Sequence, residues 1–124
     1  MRAALLLILL AGCPSAPATK PQPVQRTTAD NTCENVAWSC VGVKSGTPWG
    51  CIEGNDTQTV QYQASCTPEK DGRFALQACM RDELVGGCTL ARGNQCTTTW
   101  YYAPATRTSV EGDCAKQGAL FVAP

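Results

Sequence analysis

The stretch Cys79-MRDELVGG-Cys88-TLARGNQ-Cys96-TTTWYYAPATRTSVEGD-Cys114 decides the fold. It places four cysteines among short runs of strand-forming and turn-forming residues. A strand, a turn (Arg-Gly-Asn-Gln) and a second strand rich in Thr, Trp and Tyr are predicted over residues 84–90, 92–95 and 96–103. This part of the chain is therefore expected to begin as a β-hairpin.

A helix and a last strand are predicted after this hairpin. Thr108-x-x-Glu111 has the form of a capping box, in which the hydroxyl and the carboxylate each accept a hydrogen bond from a free amide. The helix is expected over residues 109–117, with Gly118 as its C-terminal cap. Residues 119–122 then predict a strand, so the order of this unit is strand, strand, helix, strand.

The preceding residues, 33–78, predict a less regular copy of the same unit, so that residues 33–78 and 79–124 form two pseudo-repeats. Each unit holds four cysteines, and the second and fourth are 26 residues apart in both, at positions 40 and 66 and at positions 88 and 114. The predicted elements are a strand over 36–43, a turn over 44–48, a strand over 49–52, a helix over 57–66 capped by Asp56, and a strand over 74–78. Residues 57–63 fit a strand equally well.

The N-terminus carries the sequence Leu10-Ala11-Gly12-Cys13 directly after an apolar run over residues 3–10. It resembles the lipobox of bacterial lipoproteins. The resemblance implies a signal peptide over residues 1–12, lipidation of Cys13 and attachment to the membrane through acyl chains. The apolar run is far shorter than the ~20 residues of a membrane span. An ordinary secretory signal that is cut elsewhere is the alternative.

Residues 13–31, the lipidated cysteine and the segment after it, predict a disordered tether. The segment contains four prolines and a single large aliphatic residue, Val24, so it cannot bury enough apolar surface to offset the entropy of ordering. The residue directly after Cys13 is Pro14 and not an acidic residue, and in lipoproteins this favours the outer membrane. Whether the domain at residues 32–124 faces the periplasm or the exterior is left open.

The cysteine count agrees with this interpretation. The chain has nine cysteines, and lipidation of Cys13 leaves an even number for disulfides in an exported domain. The shared spacing predicts the bonds Cys40–Cys66 and Cys88–Cys114, which leaves Cys33–Cys51 and Cys79–Cys96. No Cys-x-x-Cys pair and no histidine is present, so we expect neither a metal site nor another cofactor.

A second resemblance lies in the C-terminal forty residues. The pattern LVGGC…TTTWYYAP…GDCAKQGALFV is similar to a recurring C-terminal pattern of uncharacterised bacterial lipoproteins. It supports the anchor and the disulfides, and it implies no catalytic residue. The predicted fold class is a small disulfide-rich α+β domain behind a tether.

The composition disfavours catalysis and nucleic-acid binding. Without histidine, a Ser-His-Asp or Cys-His arrangement is impossible. The carboxylate pairs Glu53/Asp56 and Asp82/Glu83 are interpreted as solvated loop charges. Ten basic residues balance ten acidic ones and form no basic stripe, so nucleic acid is not an expected partner.

The aromatic residues provide the candidate binding surface. In the strand over 96–103, alternation predicts that one face is buried and that Thr97, Thr99 and Tyr101 face water. Trp49 lies in the sequence Gly-Thr-Pro-Trp-Gly and is expected to be exposed on a turn. These four residues form a candidate surface for a glycan or protein partner.

The predicted function is a non-enzymatic binding or interaction module, anchored to the bacterial envelope by lipid. One alternative is a protease-inhibitor-like module that inserts residues 44–49 or 92–95 into a protease. Another is a structural subunit of an envelope complex.

Overall fold

The structure, a computed structural model, describes residues 30–124. The predicted signal peptide, the predicted lipidation of Cys13 and the tether up to residue 29 lie outside the described residues. The elements are β1 (Trp38–Lys44), β2 (Thr47–Gly54), α1 (Thr59–Ser65), β3 (Gly72–Ala75), β4 (Leu84–Arg92), β5 (Gln95–Tyr102), α2 (Arg107–Gln117) and β6 (Leu120–Val122). Two short 3-10 turns, Asp56–Gln58 and Pro68–Lys70, flank α1.

All six strands form one antiparallel sheet in the order β3-β1-β2-β5-β4-β6. The two hairpins, β1–β2 and β4–β5, meet at the centre of the sheet through β2 and β5. Each third strand, β3 or β6, pairs with the first strand of its own hairpin and forms an edge. Together with two helices and four disulfides, this arrangement confirms the prediction of a small disulfide-rich α+β domain.

The order strand, strand, helix, strand occurs twice along the chain. The second hairpin strands begin at residues 47 and 95, the helices at residues 59 and 107, and the last strands at residues 72 and 120. Each pair of positions is 48 residues apart, as are the cysteines at positions 40 and 88 and at positions 66 and 114.

Both helices lie on one face of the sheet, here called the helix face. Opposite residues in a ladder share a face, so a row of side chains on this face runs through Phe74, Cys40, Ile52, Thr99, Cys88 and Phe121. The bond Cys40–Cys66 ties β1 to the end of α1, and Cys88–Cys114 ties β4 to α2. These are the two pairs that the 26-residue spacing predicts.

The other face, here called the far face, is covered by chain segments rather than helices. Cys33, before β1, bonds to Cys96 in β5, and Cys79, before β4, bonds to Cys51 in β2. The predicted pairs Cys33–Cys51 and Cys79–Cys96 are therefore wrong. The reason is the central pairing of β2 with β5, which brings each half's leading segment across the far face to the hairpin of the other half.

Two predicted element boundaries also differ. Helix α2 begins at Arg107 and is capped by Thr106, whose hydroxyl accepts a hydrogen bond from the amide of Ser109 at 3.3 Å, so the predicted cap at Thr108 is wrong. Glu111 pairs with Arg107 at 2.8 Å instead of capping the helix. The third strand ends at Ala75 because the chain then leaves the sheet to reach Cys79 on the far face.

Candidate functional site

A β-bulge in the first hairpin positions Trp49. In the β1–β2 ladder Gly42 lies opposite Gly50 and Val43 lies opposite Pro48, so Trp49 has no opposite residue. A bulge of this kind redirects the side chain of the extra residue. The β4–β5 ladder runs without interruption from Gly86 to its turn, so the second hairpin has no counterpart of this bulge.

The redirected indole of Trp49 lies on Gly42. A Cβ atom at position 42 would lie only 2.6 Å from Cε2 of the ring, so only glycine accommodates the ring in this position. Aromatic rings also lie on Gly54, Gly86 and Gly87, but the rings there belong to buried or half-buried residues. Trp49 is 56 % exposed and is the only tryptophan of the chain that is not buried.

A cleft of about 420 Å³ lies beside Trp49 on the sheet. Ile52, Thr99 and Gly50 contribute to its lining from the two central strands, and the disulfide Cys40–Cys66 contributes from the α1 side. This volume lies within the range typical of small-ligand sites. We call this depression the Trp49 cleft.

The segment after α1 completes the Trp49 cleft with Lys70 and Asp71, both exposed. Asp71 has a left-handed backbone conformation, and its carbonyl accepts a hydrogen bond from the amide of Val43 at 2.8 Å, which fastens the segment to β1. Within residues 30–124, the side chains of Lys70, Asp71 and Thr99 make no hydrogen bond or ion pair. The cleft therefore combines an open aromatic ring with one cation, one anion and one hydroxyl that are free to bind.

Helix α1 is held in place by aromatic contacts as well as by its disulfide. Tyr62 stacks on Trp38 with 4.1 Å between the ring centroids, and the indole N–H of Trp38 donates to the carbonyl of Asn55 at 2.6 Å. Since α1 has only seven residues, it would not be stable in isolation. The bond from Cys66 and this stacking fix the wall of the cleft.

The four predicted surface residues do not all meet in one place. Trp49 and Thr99 line the Trp49 cleft together. Thr97 lies beside Leu90 at a much smaller depression of about 50 Å³, and Tyr101 packs against the buried cluster under α2. Thr97, Thr99 and Tyr101 are half-buried and do not face open water, because the helix face that they share carries α1 and α2.

Glu53, in β2, is a buried carboxylate and not a loop charge. It is fully buried on the far face, so its interpretation as a solvated loop charge is wrong, whereas Asp56 is exposed as expected. Its carboxylate accepts hydrogen bonds from the amide of Cys79 at 2.8 Å, from Arg81 Nη2 at 2.7 Å and from Trp100 Nε1 at 2.8 Å. The alternation of Cys51 and Glu53 along one strand is the signal that could have placed it on a buried face.

These contacts give Glu53 a structural role. All three donors converge on its two carboxylate oxygens, and the guanidinium of Arg81 also lies 4.2 Å from the centroid of the Trp100 ring. A buried carboxylate needs such partners because burial of an unpaired charge is costly. Glu53 therefore fastens the segment before β4 to the sheet.

A larger depression of about 710 Å³ lies near Arg81, Trp100, Arg107 and Phe121. Its cations already have partners, since Arg81 pairs with Glu53 and Arg107 pairs with Glu111. Asp30, Asn31 and Thr32 also line it, but its aromatic residues, Trp100 and Phe121, are buried or half-buried, whereas Trp49 is exposed.

Residues 30–124 contain no group of three His, Cys, Asp or Glu side chains arranged to hold a metal ion. In the same residues neither helix has the length and apolar character needed to cross a membrane. The chain matches no protein-family model, no curated protein and no solved structure.

Proposed function

We propose that this protein is a non-enzymatic binding module that a lipid on Cys13 attaches to the bacterial envelope. The signal peptide covers residues 1–12, residues 13–31 form the lipidated tether, and the domain at residues 32–124 presents the Trp49 cleft to a ligand. The observation that carries the proposal is the exposed indole of Trp49. The bulge redirects this ring and Gly42 makes room for it, beside polar side chains that have no partner within residues 30–124.

The sulfur chemistry supports the anchor. The eight cysteines of residues 30–124 pair with one another, which leaves Cys13 over for the acylation that we propose. Lipoproteins usually carry several acyl chains, and stable attachment to a membrane takes two lipid signals. We place the anchor in the outer membrane.

The absence of histidine and the use of Glu53 support a non-catalytic role. Glu53 is the buried carboxylate of the sheet, and its oxygens are occupied by three donors. The protease-inhibitor alternative has weaker support, because residues 45–46 and 93–94 are tight hairpin turns between paired strands. Such turns provide little extended chain to enter a protease.

We also propose that residues 33–78 and 79–124 are two pseudo-repeats of one unit. The support is the repeated order of elements, the common offset of 48 residues and the matching bonds Cys40–Cys66 and Cys88–Cys114. The two units differ at the bulge of Trp49, which only the first unit has. We therefore propose a ligand site in the first unit alone.

The anchor is tested by intact-mass measurement of the chain extracted from envelopes. We expect a mature chain that begins at Cys13 and carries acyl groups, and we expect that Cys13→Ser retains the signal peptide. A mature chain that begins elsewhere and carries a free Cys13 thiol would refute the anchor.

The binding role is tested by acrylamide quenching of tryptophan fluorescence. Since Trp38 and Trp100 are buried, the quenching reports almost solely on Trp49. The full chain, in a detergent without a sugar headgroup, is mixed with sacculi, a detergent extract of outer membranes or periplasmic extract, and the fluorescence of the same fraction without the chain is subtracted. We expect one fraction to protect Trp49, and Leu76→Ala, an exposed apolar control outside the cleft, should leave that protection unchanged.

Two outcomes contradict the binding role. If no envelope fraction protects Trp49, the Trp49 cleft is not a binding surface. If the full chain and Trp49→Ala form the same stable stoichiometric complex with an envelope protein, the structural-subunit alternative is correct.

A further inference from the structure

We propose that the Trp49 cleft binds a neutral saccharide, with one sugar ring stacked on the indole of Trp49. The inference rests on the proposed function, because it assigns a ligand class to the same cleft. It is carried by the exposed ring, by the free polar groups around it and by their balanced charge.

The ring geometry favours a flat ligand with an apolar face. Three adjacent atoms of the indole, Cε2, Nε1 and Cζ2, lie 2.6 to 2.8 Å from the place of a Cβ at Gly42, so one side of the ring rests on the backbone. More than half of Trp49 is exposed, which leaves the other side of the ring open. A pyranose ring presents a face of C–H groups that stacks on such an aromatic surface and an edge of hydroxyls.

The polar groups match those hydroxyls. The ammonium group of Lys70 donates hydrogen bonds, the carboxylate of Asp71 accepts them, and the hydroxyl of Thr99 does both. None of these side chains has a partner within residues 30–124. A purely apolar ligand would remove them from water without replacing their hydrogen bonds, which is unfavourable.

The charge of the cleft favours a neutral ligand. Lys70 and Asp71 are adjacent and opposite in sign, and they are the two charged residues among those that line the cleft. An anionic ligand would meet the carboxylate of Asp71 and a cationic ligand would meet Lys70. A neutral polyol forms hydrogen bonds with both groups and meets no repulsion from either.

The second half of the domain indicates one site per chain. Gly42 follows Cys40 by two residues, and Leu90 occupies the corresponding position after Cys88. The second half therefore has no glycine at this position for a ring to rest on, and the depression beside Leu90 measures only about 50 Å³. A saccharide should therefore bind with a stoichiometry of one.

The test uses the full lipidated chain in a detergent without a sugar headgroup. It is titrated with N,N′-diacetylchitobiose, cellobiose and maltotriose, and binding is followed by calorimetry and by acrylamide quenching of Trp49. We expect at least one of these neutral saccharides to bind with one site per chain and to protect Trp49 from the quencher.

Variants locate the site. Trp49→Ala should weaken binding at least about tenfold, as is common when the aromatic anchor of an interface is removed. Asp71→Asn should weaken it about threefold or more, because an amide is a poorer acceptor than a carboxylate. Asparagine tolerates the left-handed backbone at this position, so the fold should be retained. Leu76→Ala is the matched control and should bind like the parent chain.

The outcomes separate the two proposals. If an envelope fraction protects Trp49, protease treatment of that fraction abolishes the protection and none of the saccharides binds, the occupant is a protein and the saccharide inference is overturned. Saccharide binding that Trp49→Ala leaves unchanged would also overturn it. If neither the envelope fractions nor the saccharides protect Trp49, the proposed function itself fails.

Discussion

The indole of Trp49 rests on Gly42, so closely that a Cβ at position 42 would lie 2.6 Å from Cε2 of the ring. Gly42→Ala should therefore displace the ring while the indole remains in the chain. The atoms in the way belong to a side chain that is largely exposed, so we expect the free energy of unfolding to change by less than about 1 kcal/mol. Acrylamide should then quench Trp49 more strongly than in the parent chain.

The control for this substitution is Gly112→Ala, because a Cβ at that position meets nothing within 4 Å. It should leave the quenching of Trp49 unchanged. Unchanged quenching in Gly42→Ala as well would show that the ring does not depend on this glycine for its position.

Glu53→Gln should destabilise the domain. The amide of glutamine cannot accept from all three donors that the carboxylate serves, and it leaves the guanidinium of Arg81 without its ion pair. Breaking a buried ion pair costs about 3–5 kcal/mol, and the partial exposure of Arg81 lowers our expectation to about 2–3 kcal/mol. Chemical denaturation with the disulfides intact measures this difference.

Glu111→Gln is the matched control for Glu53→Gln. It removes an ion pair with Arg107 in which both side chains are exposed, so the expected cost is below about 0.5 kcal/mol. Similar losses from the two substitutions would contradict the structural role assigned to Glu53.

The disulfides predict a particular tryptic map under non-reducing conditions. The bonds Cys33–Cys96, Cys40–Cys66 and Cys51–Cys79 should join four peptides into a single species. These peptides are residues 27–44, 45–70, 74–81 and 93–107. Mass spectrometry of the digest measures the species directly, and a separate pair made of 74–81 and 93–107 would contradict the cross-connected arrangement.

Local sequence patterns predicted most of what lies within each half of the domain. The shared spacing of Cys40–Cys66 and Cys88–Cys114 reflects contacts between neighbouring elements, which short-range periodicity encodes. The bonds of Cys33 and Cys79 depend on the pairing of β2 with β5, and no local pattern specifies that long-range contact.

The Trp49 cleft was predictable only in part. The Gly-Thr-Pro-Trp-Gly sequence indicated an exposed Trp49, but it suggested a turn instead of the bulge within a longer strand. The sequence does not mark Lys70 and Asp71 as site residues, because they reach the cleft only after α1 has folded back onto β1. A site assembled from distant segments leaves no compact motif in the sequence.

Tyr102 should make stability fall at high pH. Burial away from water raises the pKa of its phenol above the ordinary value of 10.0, although Arg81 partly opposes the shift. Below pH 10 the phenol is neutral in both the folded and the unfolded chain, so the contribution of Tyr102 to the free energy of unfolding does not change with pH. Above pH 10 the unfolded chain ionises first, and stability decreases until the pH passes the folded pKa.

Spectroscopic titration of the phenolate band measures this effect. When the phenolate absorbance of Tyr102→Phe is subtracted from that of the parent chain at each pH, the difference should contain a step that lies above pH 10. The hydroxyl of Tyr102 donates to the carbonyl of Met80 at 3.0 Å, and this bond also favours the neutral form. A step at or below pH 10 would contradict the burial of this phenol.

Two substitutions in α2 should change stability in opposite directions. Thr106→Ala removes the hydroxyl that accepts from the amide of Ser109 and should cost about 1 kcal/mol. Gly112→Ala places a better helix former at an exposed position in the interior of the helix, with no neighbour within 4 Å, and it should add about 1 kcal/mol to the free energy of unfolding.

The two positions are six residues apart on one helix and share no partner, so their effects should add. The double variant should therefore unfold at nearly the parent denaturant concentration, and a double variant as unstable as Thr106→Ala alone would show that α2 does not continue through residue 112.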